Sequence, residues 1–502
     1  MRLFFSACKS AKNFGLGIFW VALEKLFQKG SGFLTGNFKT DKTNLSEKLA
    51  TDINFDVVRR DFVIADRNCS LFFMDAFIKD EVFEKIFEFL YRTEPRELQK
   101  IRTMQEFSLY KMPYVEVDWS NDDDTLTTAV LSGQTALIIE GICDALLVDT
   151  RTYPTRSIDE PDKDRSLRGS RDGFVETLMF NTALIRRRIR DPKLRFEHLQ
   201  VGSSSKVDVA IGYMDGTADK KTVEKLRKKL KEINVSSISM TSQALSELLI
   251  PSAFFNPFPK VRFSERPDFA SACILEGKIV LIMDNSPAVM IFPNSIADFL
   301  KETDDYYFPP LTGTYVRIIR TFVSLLTVVM TPIVLILMND PDLLPDWLSF
   351  INTDDEYSIS IFFQFLLLEL VVDGLRLASL NTPNTLSSSL GIIGGLILGE
   401  FAVEADWFVP ETIMYMAFVA IASFAQPSFE MGYAMKFCRI FLLILSEFFG
   451  FWGFFGGLTA ILLLAGFSKT FSGRSYLTPV IPFSPKNFAR MFVRTSIRHK
   501  QH

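Results

Sequence analysis

Histidine and cysteine are scarce in this sequence, with 3 His and 5 Cys among 502 residues. The cysteines stand far apart and form no C-x-x-C motif, so neither a disulfide framework nor a zinc cluster is predicted. Two of the histidines, His499 and His502, lie at the very C-terminus. Because His and Cys form no nucleophile–base constellation, the sequence predicts no enzymatic activity, no metal site and no cofactor.

Motifs that bind nucleotides and nucleic acids are also missing. The sequence contains no G-x-G-x-x-G fingerprint and no P-loop. The 55 basic and 59 acidic residues give a net charge of −4, unlike that of a chain that binds nucleic acid over its whole surface. The densest arginine run has no interleaved aromatic side chains on which bases could stack. Nucleic acid is therefore not a predicted partner.

Long apolar runs are absent before about Phe308 and frequent after Ile318, although hydrophobic residues make up 48% of the whole chain. Five runs have the length and composition of candidate spanning helices. They are Ile318–Met338, Ser358–Leu375, Leu386–Phe408, Thr412–Met435 and Ile440–Gly466. We therefore expect a multi-pass α+β/α membrane protein, in which residues 301–470 form an all-helical transmembrane domain of four to five segments.

Basic and acidic residues alternate at the ends of these runs, which sets an expected orientation. Arg317 and Arg320 precede the first run, the connection 339–357 is acidic, and the tail 471–502 is basic. The positive-inside rule then places the N-terminal part and the tail in the cytoplasm. With both ends of the chain on one side, the number of membrane crossings must be even. The glycine-rich stretch 450–457 is therefore expected to break the fifth run, so that this run returns to its starting side. The alternative is one kinked span with an external tail.

The first 50 residues are predicted to be an amphipathic or linker segment. Within it, Asn13–Phe27 is apolar but is followed by no small-residue cleavage site, which argues against a signal peptide. A helix lying on a membrane or partner surface and an ordinary packing helix both remain open interpretations.

The charged half contains a repeat. Leu71–Leu90 and Ile211–Leu230 both read as a strand ending in Met-Asp, then a loop and a helix with a Glu-Lys pair. Thr135–Asp149 and Ile279–Phe292 both read as two strands joined by a tight turn. We therefore predict two related cytoplasmic α/β subdomains, at residues 51–155 and 206–300.

An arginine-rich linker and helix, residues 156–205, separates the two copies. A helix is predicted over Glu176–Arg190, and Pro192 follows it as a normal stop. The arginines could grip carboxylates of a neighbouring subunit or anionic lipid headgroups, or they could form a solvated face. The candidate subunit-contact residues are Arg168, Arg171, Arg186, Arg187 and Arg188.

The run Arg156–Asp191 resembles the signature of the A-subunit family of bacterial spore germinant receptors, the GerA type. The membrane half agrees at Leu390–Glu400 and Pro427–Glu430. The resemblance implies a protein of the spore inner membrane that oligomerises into an ion-conducting assembly during germination, beside transporter-like and small membrane subunits. The motifs Trp407–Glu411 and Gln426–Glu430 resemble one branch of the family, for which an amplifying role in ion release is implied.

Within such an assembly the third run supplies the candidate pore or helix-interface residues. Glycines at four-residue intervals allow close approach of a neighbouring helix, apolar side chains could gate by dewetting, and a ring of carboxylates would favour monovalent cations. The candidates are Gly391, Ile392, Gly395, Leu396, Gly399, Glu400, Val403 and Glu404, with Asn381, Thr382 and Asn384 as a vestibule. The alternative is ordinary helix packing without a pore.

Other charges in the apolar runs are interpreted as structural. Glu369, Asp373 and Arg376 are predicted to form an ion-pair network on one helix. Glu430 and Glu447 are expected to pair with Lys436 or Arg439.

Three functional hypotheses follow from these features. The first is a homo-oligomeric ion-channel subunit that contacts membrane lipid. The second is a non-conducting scaffold for germination partners. The third is a secondary transporter that binds substrate at the broken helix, as such transporters do.

Overall fold

The computed structural model describes residues 33–112, 114–153, 169–236, 241–250, 255–302, 304–340, 357–381 and 401–494. Two antiparallel sheets with their helices come first, and a set of long apolar helices follows.

The first sheet has five strands in the order β1-β2-β4-β5-β3. The strands are β1 Val57–Ile64, β2 Arg67–Met74, β3 Val117–Ser120, β4 Thr135–Ile139 and β5 Ala145–Val148. The helices around it are α1 Phe38–Leu49, α2 Asp80–Tyr91, α3 Pro95–Leu98, α4 Met104–Lys111 and α5 Asp123–Leu131. Both faces of the sheet carry apolar clusters, which is why β5, and β4 after Thr135, are continuous apolar runs without polar alternation.

The second sheet repeats this strand order as β6-β7-β9-β10-β8. Its strands are β6 Leu194–Val201, β7 Val207–Met214, β8 Arg262–Ser264, β9 Ile279–Met283 and β10 Val289–Phe292. Its helices are α6 Leu178–Arg188, α7 Lys220–Glu232, α8 Thr241–Leu249, α9 Pro267–Leu275 and α10 Ile296–Phe299. The predicted repeat is therefore present, with β2 and α2 equivalent to β7 and α7. The predicted tight turns contain Gly141 (φ 81°) and Asn285 (φ 61°), two residue types that adopt positive φ readily.

Two expected boundaries differ from the fold. Leu194–Val201, expected in the linker 156–205, is edge strand β6 of the second sheet, since its alternate residues Leu194 and Phe196 are buried. Helix α1 falls within the expected segment 1–50, yet Leu45 and Leu49 are fully buried in the core of the first sheet. The interpretation of Asn13–Phe27 lies outside the described residues.

The regular elements described in the apolar half are helices, joined by turns and, after Phe467, by a segment with one isolated bridge between Lys469 and Ser475. It contains α11 Asp304–Tyr307, α12 Pro310–Asn339, α13 Ile361–Asn381, α14 Ala402–Glu404, α15 Pro410–Phe424, α16 Phe429–Phe467 and α17 Pro485–Phe492. Among the residues that are described, two helices, α12 and α16, are long and apolar enough to cross a membrane, and α15 is a shorter apolar helix. The predicted number of crossings stays a prediction.

One predicted segment is not a single helix. Thr412–Met435 is not continuous, because α15 ends at Phe424 and α16 begins at Phe429. Pro427 lies in the break, and the Ser428 hydroxyl accepts a hydrogen bond from the backbone N–H of Met431, capping the new helix.

Helix α16 bends back on itself at Gly450, whose φ of 55° and ψ of −138° are non-helical. Ala465 packs in one cluster with Ala434, near the opposite end of the helix. At the bend the arms nearly touch: a Cβ built on Gly453 would lie 2.0 Å from the carbonyl oxygen of Leu445. The element is thus a helical hairpin, broken where the glycine cluster predicted, rather than one kinked helix. Its return to the starting side of a membrane stays a prediction.

The two ends of this hairpin, near Ala434 and Ala465, pack against the second sheet unit. After α16 the chain returns to pack Phe471 into the core of that sheet and to bury Tyr476 beside Phe299. The backbone N–H of Ile296 donates to the carbonyl oxygen of Tyr476 over 3.0 Å. The second sheet, together with α10 and the segment that follows α16, therefore holds the two ends of the hairpin.

Candidate functional site

In the part of the chain that the structure describes, we consider three buried ion-pair groups that join separate elements, and the first joins the two sheets. The Arg186 side chain, at the end of α6, is fully buried. Its guanidinium donates to both carboxylate oxygens of Asp56 over 3.0 and 3.2 Å and to the carbonyl oxygen of Leu194 over 3.1 Å. Asp56 immediately precedes β1, and Leu194 begins β6. One bidentate pair therefore fixes both sheets to the same helix.

The neighbouring arginines are placed differently. Arg188 is half-buried and donates to Asp172 over 2.9 Å and to the Ser170 hydroxyl over 2.7 Å. Arg187 is exposed, with its guanidinium 4.8 Å from the centre of the Tyr153 ring. Arg171 is exposed as well.

This placement corrects one prediction. A residue without exposed surface cannot contact a second subunit, so that role is wrong for Arg186. Arg168 lies outside the described residues. Arg171 and Arg187 keep the accessibility that a subunit contact requires.

The second ion-pair group lies between the first turns of α12 and the segment that connects α10 to it. Asp305, in the short helix α11, is fully buried. Its carboxylate accepts hydrogen bonds from Arg317 Nε over 3.1 Å and from Arg320 Nη1 over 3.0 Å. Glu302 forms a further ion pair with Arg320. The two arginines interpreted from the sequence as a positive-inside signal are therefore also the cations that hold α12 to α11 and to the segment that follows α10.

Sequence reasoning missed Asp305. The available signal was its position in the sequence, shortly before Arg317 and Arg320. A carboxylate there can pair with two cations that would be costly to bury without a counterion.

Beside it, Asp298 of α10 lies 2.9 Å from Lys278 Nζ and 3.1 Å from Lys301 Nζ, and it accepts the N–H of Ser295 over 2.9 Å. Burial alone would raise the pKa of this carboxyl, but the two ammonium groups and the backbone donor outweigh it and hold the pKa well below its ordinary value. Asp298 is therefore ionised at neutral pH.

The third group joins the long apolar helices. Glu369 of α13 forms an ion pair with Arg439 of α16 and lies 3.3 Å from Lys436 Nζ, which also pairs with Asp373. Arg439 donates in addition to the carbonyl oxygen of Thr327 in α12 over 2.9 Å. Because unpaired charges among apolar helices are costly, this cluster fixes three helices in one arrangement.

The predicted structural network at Glu369 and Asp373 is thus present, but its cations come from another helix. Arg376 packs its guanidinium 4.8 Å from the centre of the Phe424 ring. Lys436 and Arg439 form ion pairs with Glu369, so the pairing predicted for Glu430 and Glu447 is wrong. Glu430 accepts the Ser428 hydroxyl over 2.7 Å, and Glu447 accepts the Asn339 amide over 3.3 Å.

Most of the candidate pore lies outside the described residues. That applies to Thr382, Asn384, Gly391, Ile392, Gly395, Leu396, Gly399 and Glu400. Asn381 is the last residue of α13. In α14, Val403 is half-buried and Glu404 is exposed. A carboxylate mouth and a glycine interface therefore stay predictions.

Within the described ranges no group of three or more His, Cys, Asp or Glu side chains is arranged to hold a metal ion. The buried thiol of Cys69 has its pKa raised to about 12 by desolvation, so it is not nucleophilic at neutral pH.

Paired α/β sheets followed by two helices long and apolar enough to cross a membrane are the arrangement expected of a membrane-associated protein with a large folded N-terminal part. The family described as Bacillus/Clostridium GerA spore germination protein matches residues 43–502. The chain belongs to this family.

Individual relatives agree with this assignment. Stage V sporulation protein AF of Bacillus subtilis (strain 168) is 38% identical over 74% of this chain and 75% of its own. It represents the branch that Trp407–Glu411 and Gln426–Glu430 indicate. Spore germination protein KA of the same organism is 30% identical over 77% of this chain and 71% of its own.

Among solved structures, the N-terminal domain of the A subunit of the Bacillus megaterium spore germinant receptor GerK3 matches 52% of this chain and 96% of its own, at 24% identity and a TM-score of 0.39.

Proposed function

We propose that this chain is a membrane subunit of a spore germination complex, and that copies of it assemble into a path for monovalent cations that opens during germination. The observation that carries this proposal is the family match, which runs through the helical half as well as the sheets. The relatives named above are sporulation and germination proteins, and none of their names denotes an enzyme. We accordingly propose no catalytic role.

The surfaces of the helices support an assembly within a membrane. Large apolar side chains point away from the bundle, among them Leu370, Ile421 and Phe448, and Trp452 is 80% exposed. Apolar surface of this extent needs a cover of lipid or of other subunits. A homo-oligomer in the spore inner membrane supplies both covers, and transporter-like or small membrane subunits are further candidate neighbours.

The ion-pair groups suggest how such a subunit keeps its shape. The clusters at Glu369 and Asp305 neutralise the buried cations of the helices with carboxylates of the same chain. Conducted ions would then meet residues other than these, and the stretch 391–404 remains the proposed lining, with Glu400 and Glu404 at its mouth.

The same contacts support an orientation in the membrane. The near ends of α12 and of the hairpin lie on the side of the sheets, together with the basic tail. By the positive-inside rule we propose that this side is the cytoplasm.

The transporter hypothesis is weaker than the channel hypothesis. It places substrate at the broken helix, but Gly453 and Gly457 bring the two arms into direct contact there. No space is left between the arms at that level for a solute.

Potassium efflux from liposomes that contain the purified full-length chain tests the proposal, with the oligomer mass measured in parallel. We expect a ring-sized oligomer that releases potassium. Replacing both Glu400 and Glu404 by Gln should lower the preference for cations over anions, as read from reversal potentials in planar bilayers.

Glu447→Gln is the matched control, because Glu447 is a carboxylate near the hairpin bend outside the proposed lining. Equal losses of selectivity in the control and the double variant would remove the carboxylate mouth. An oligomer that passes no ions, alone or with co-expressed membrane partners, would contradict conduction and favour the scaffold.

A further inference from the structure

The segment after the hairpin carries an amphipathic surface that the proposed channel does not use. Helix α17 places Phe488, Met491 and Phe492 on one face, and Lys486 and Arg490 on the opposite face. None of its residues is buried.

The apolar face continues into the preceding loop. The Phe483 ring centre lies 5.6 Å from that of Phe488, which lies 5.3 Å from that of Phe492. Phe483 is 64% exposed, and Ile481 and Val493 are exposed as well. We call this row of apolar side chains, Ile481 to Val493, the tail face.

Contacts with α12 fix the height of the tail face relative to the membrane. Arg317 Nη1 donates to the carbonyl oxygen of Arg490 over 3.2 Å. The backbone N–H of Arg494 donates to the Thr314 hydroxyl over 3.1 Å. Both contacts lie in the first turns of α12, so α17 lies where that helix would enter the bilayer.

The surface of α12 at this level is itself typical of a membrane boundary. Leu311, Tyr315 and Phe322 are exposed. Tyrosine is enriched where a spanning helix passes the headgroups.

The charge of the segment selects the kind of membrane. From Phe471 to His502 the sequence contains no Asp or Glu, whereas it carries Lys486, Arg490 and Arg494 on or beside α17. Basic residues at a membrane surface each gain about 1 kcal/mol from anionic lipids. A protein partner would need acidic side chains to match this charge, whereas an anionic leaflet provides negative charge wherever α17 meets it.

We propose that α17 and its preceding loop form an interfacial anchor, in which the tail face lies among the acyl chains just below the headgroups and Lys486 and Arg490 contact anionic lipid phosphates. This inference rests on the membrane insertion stated in the proposed function. It assigns the C-terminal segment a lipid-binding role that is separate from conduction.

Nitroxide labels on the full-length chain in liposomes of phosphatidylcholine and phosphatidylglycerol test the anchor. The background carries serine at Cys8 and at exposed Cys143, while the other cysteines, Cys69, Cys273 and Cys438, are buried. Single labels at Phe483→Cys, Phe448→Cys and Val115→Cys report the tail face, the exposed surface of the hairpin and the solvent-exposed surface of the first sheet unit. Relaxation by oxygen and by a water-soluble nickel chelate then gives the depth of each label.

We expect the label at Phe483 to be more accessible to oxygen than to nickel, like the label at Phe448 and opposite to that at Val115, which is 98% exposed. Nickel accessibility at Phe483 equal to that at Val115 would overturn the anchor. Dipolar broadening between labels at Phe483 would mean that a second copy covers the tail face, and would also overturn it. If the label at Phe448 were accessible to nickel as well, the membrane insertion itself would fail, which separates the two proposals.

The charge contribution has its own measurement. Lys486→Gln with Arg490→Gln should lower the oxygen-to-nickel ratio at Phe483 in vesicles with phosphatidylglycerol, and should change little in pure phosphatidylcholine. The same loss in both vesicles, or none in either, would overturn the role of anionic lipid.

Discussion

Replacing Gly453 by alanine should separate the two arms of the α16 hairpin. The new Cβ would lie 2.0 Å from the carbonyl oxygen of Leu445 and 2.8 Å from the Cβ of Phe449, whereas ordinary contacts begin at 3.4 Å. The nearest obstacle is backbone, so no rotamer change relieves it and the arms must move apart by more than about 1 Å. Overpacking of this kind costs about 1–3 kcal/mol.

Gly456 provides the matched control, three residues further along the same arm. A Cβ built there meets nothing within 4 Å. Gly456→Ala should therefore show only the gain in helix propensity, about 1 kcal/mol. Because both variants make the same chemical change in one helix, their difference isolates the contact between the arms, and Gly453→Ala should be about 1–3 kcal/mol less stable than Gly456→Ala.

The measurement is unfolding of the detergent-solubilised chain with sodium dodecyl sulfate, followed by tryptophan fluorescence. Trp452, next to the bend, is a reporter already present. We expect Gly453→Ala to unfold at lower dodecyl sulfate than Gly456→Ala. Equal midpoints, or a higher midpoint for Gly453→Ala, would refute the close approach of the arms.

The remaining predictions concern the sheets. Asp56→Asn leaves the Arg186 charge buried without its counterion and should cost about 3–5 kcal/mol of unfolding free energy. Asp61→Asn, which breaks a partly exposed pair with Lys42, should cost at most about 1 kcal/mol, so similar losses in urea unfolding would contradict the buried pair. Asp298 has a lowered pKa in the folded chain, so its stabilisation is present above its ordinary pKa and is lost as the pH falls below about 4. Asp298→Asn should therefore flatten the decrease in unfolding midpoint between about pH 5 and pH 3, and an unchanged slope would rule out this linkage.

The repeat and the hairpin were predictable because each leaves a local pattern. Matching strand–helix and strand–turn–strand runs revealed two sheets of identical strand order. The glycines around Gly450 indicated a broken helix, since only glycine readily takes the backbone conformation found at the bend.

The partners of the charged residues were not predictable in the same way. Glu369 and Arg376 are near neighbours in sequence, and helix periodicity suggested one network, but the cations at Glu369 come from α16. Arg186 looked like a surface cation because it stands in an arginine run, whereas the fold buries it against Asp56. Pairings between residues this distant in sequence depend on how helices and sheets pack, which no single stretch encodes.

The contacts between the parts of the chain are arranged in series. Arg186 links the first sheet to the second, the second sheet unit contacts the end of the hairpin through Ile296 and Phe471, and α12 is held to the segment after α10 through Asp305. Along these connections, a force on the first sheet would be passed to α12 and the hairpin by way of the second sheet unit. A displacement of the first sheet relative to the second would therefore have to strain or break the buried Asp56–Arg186 pair.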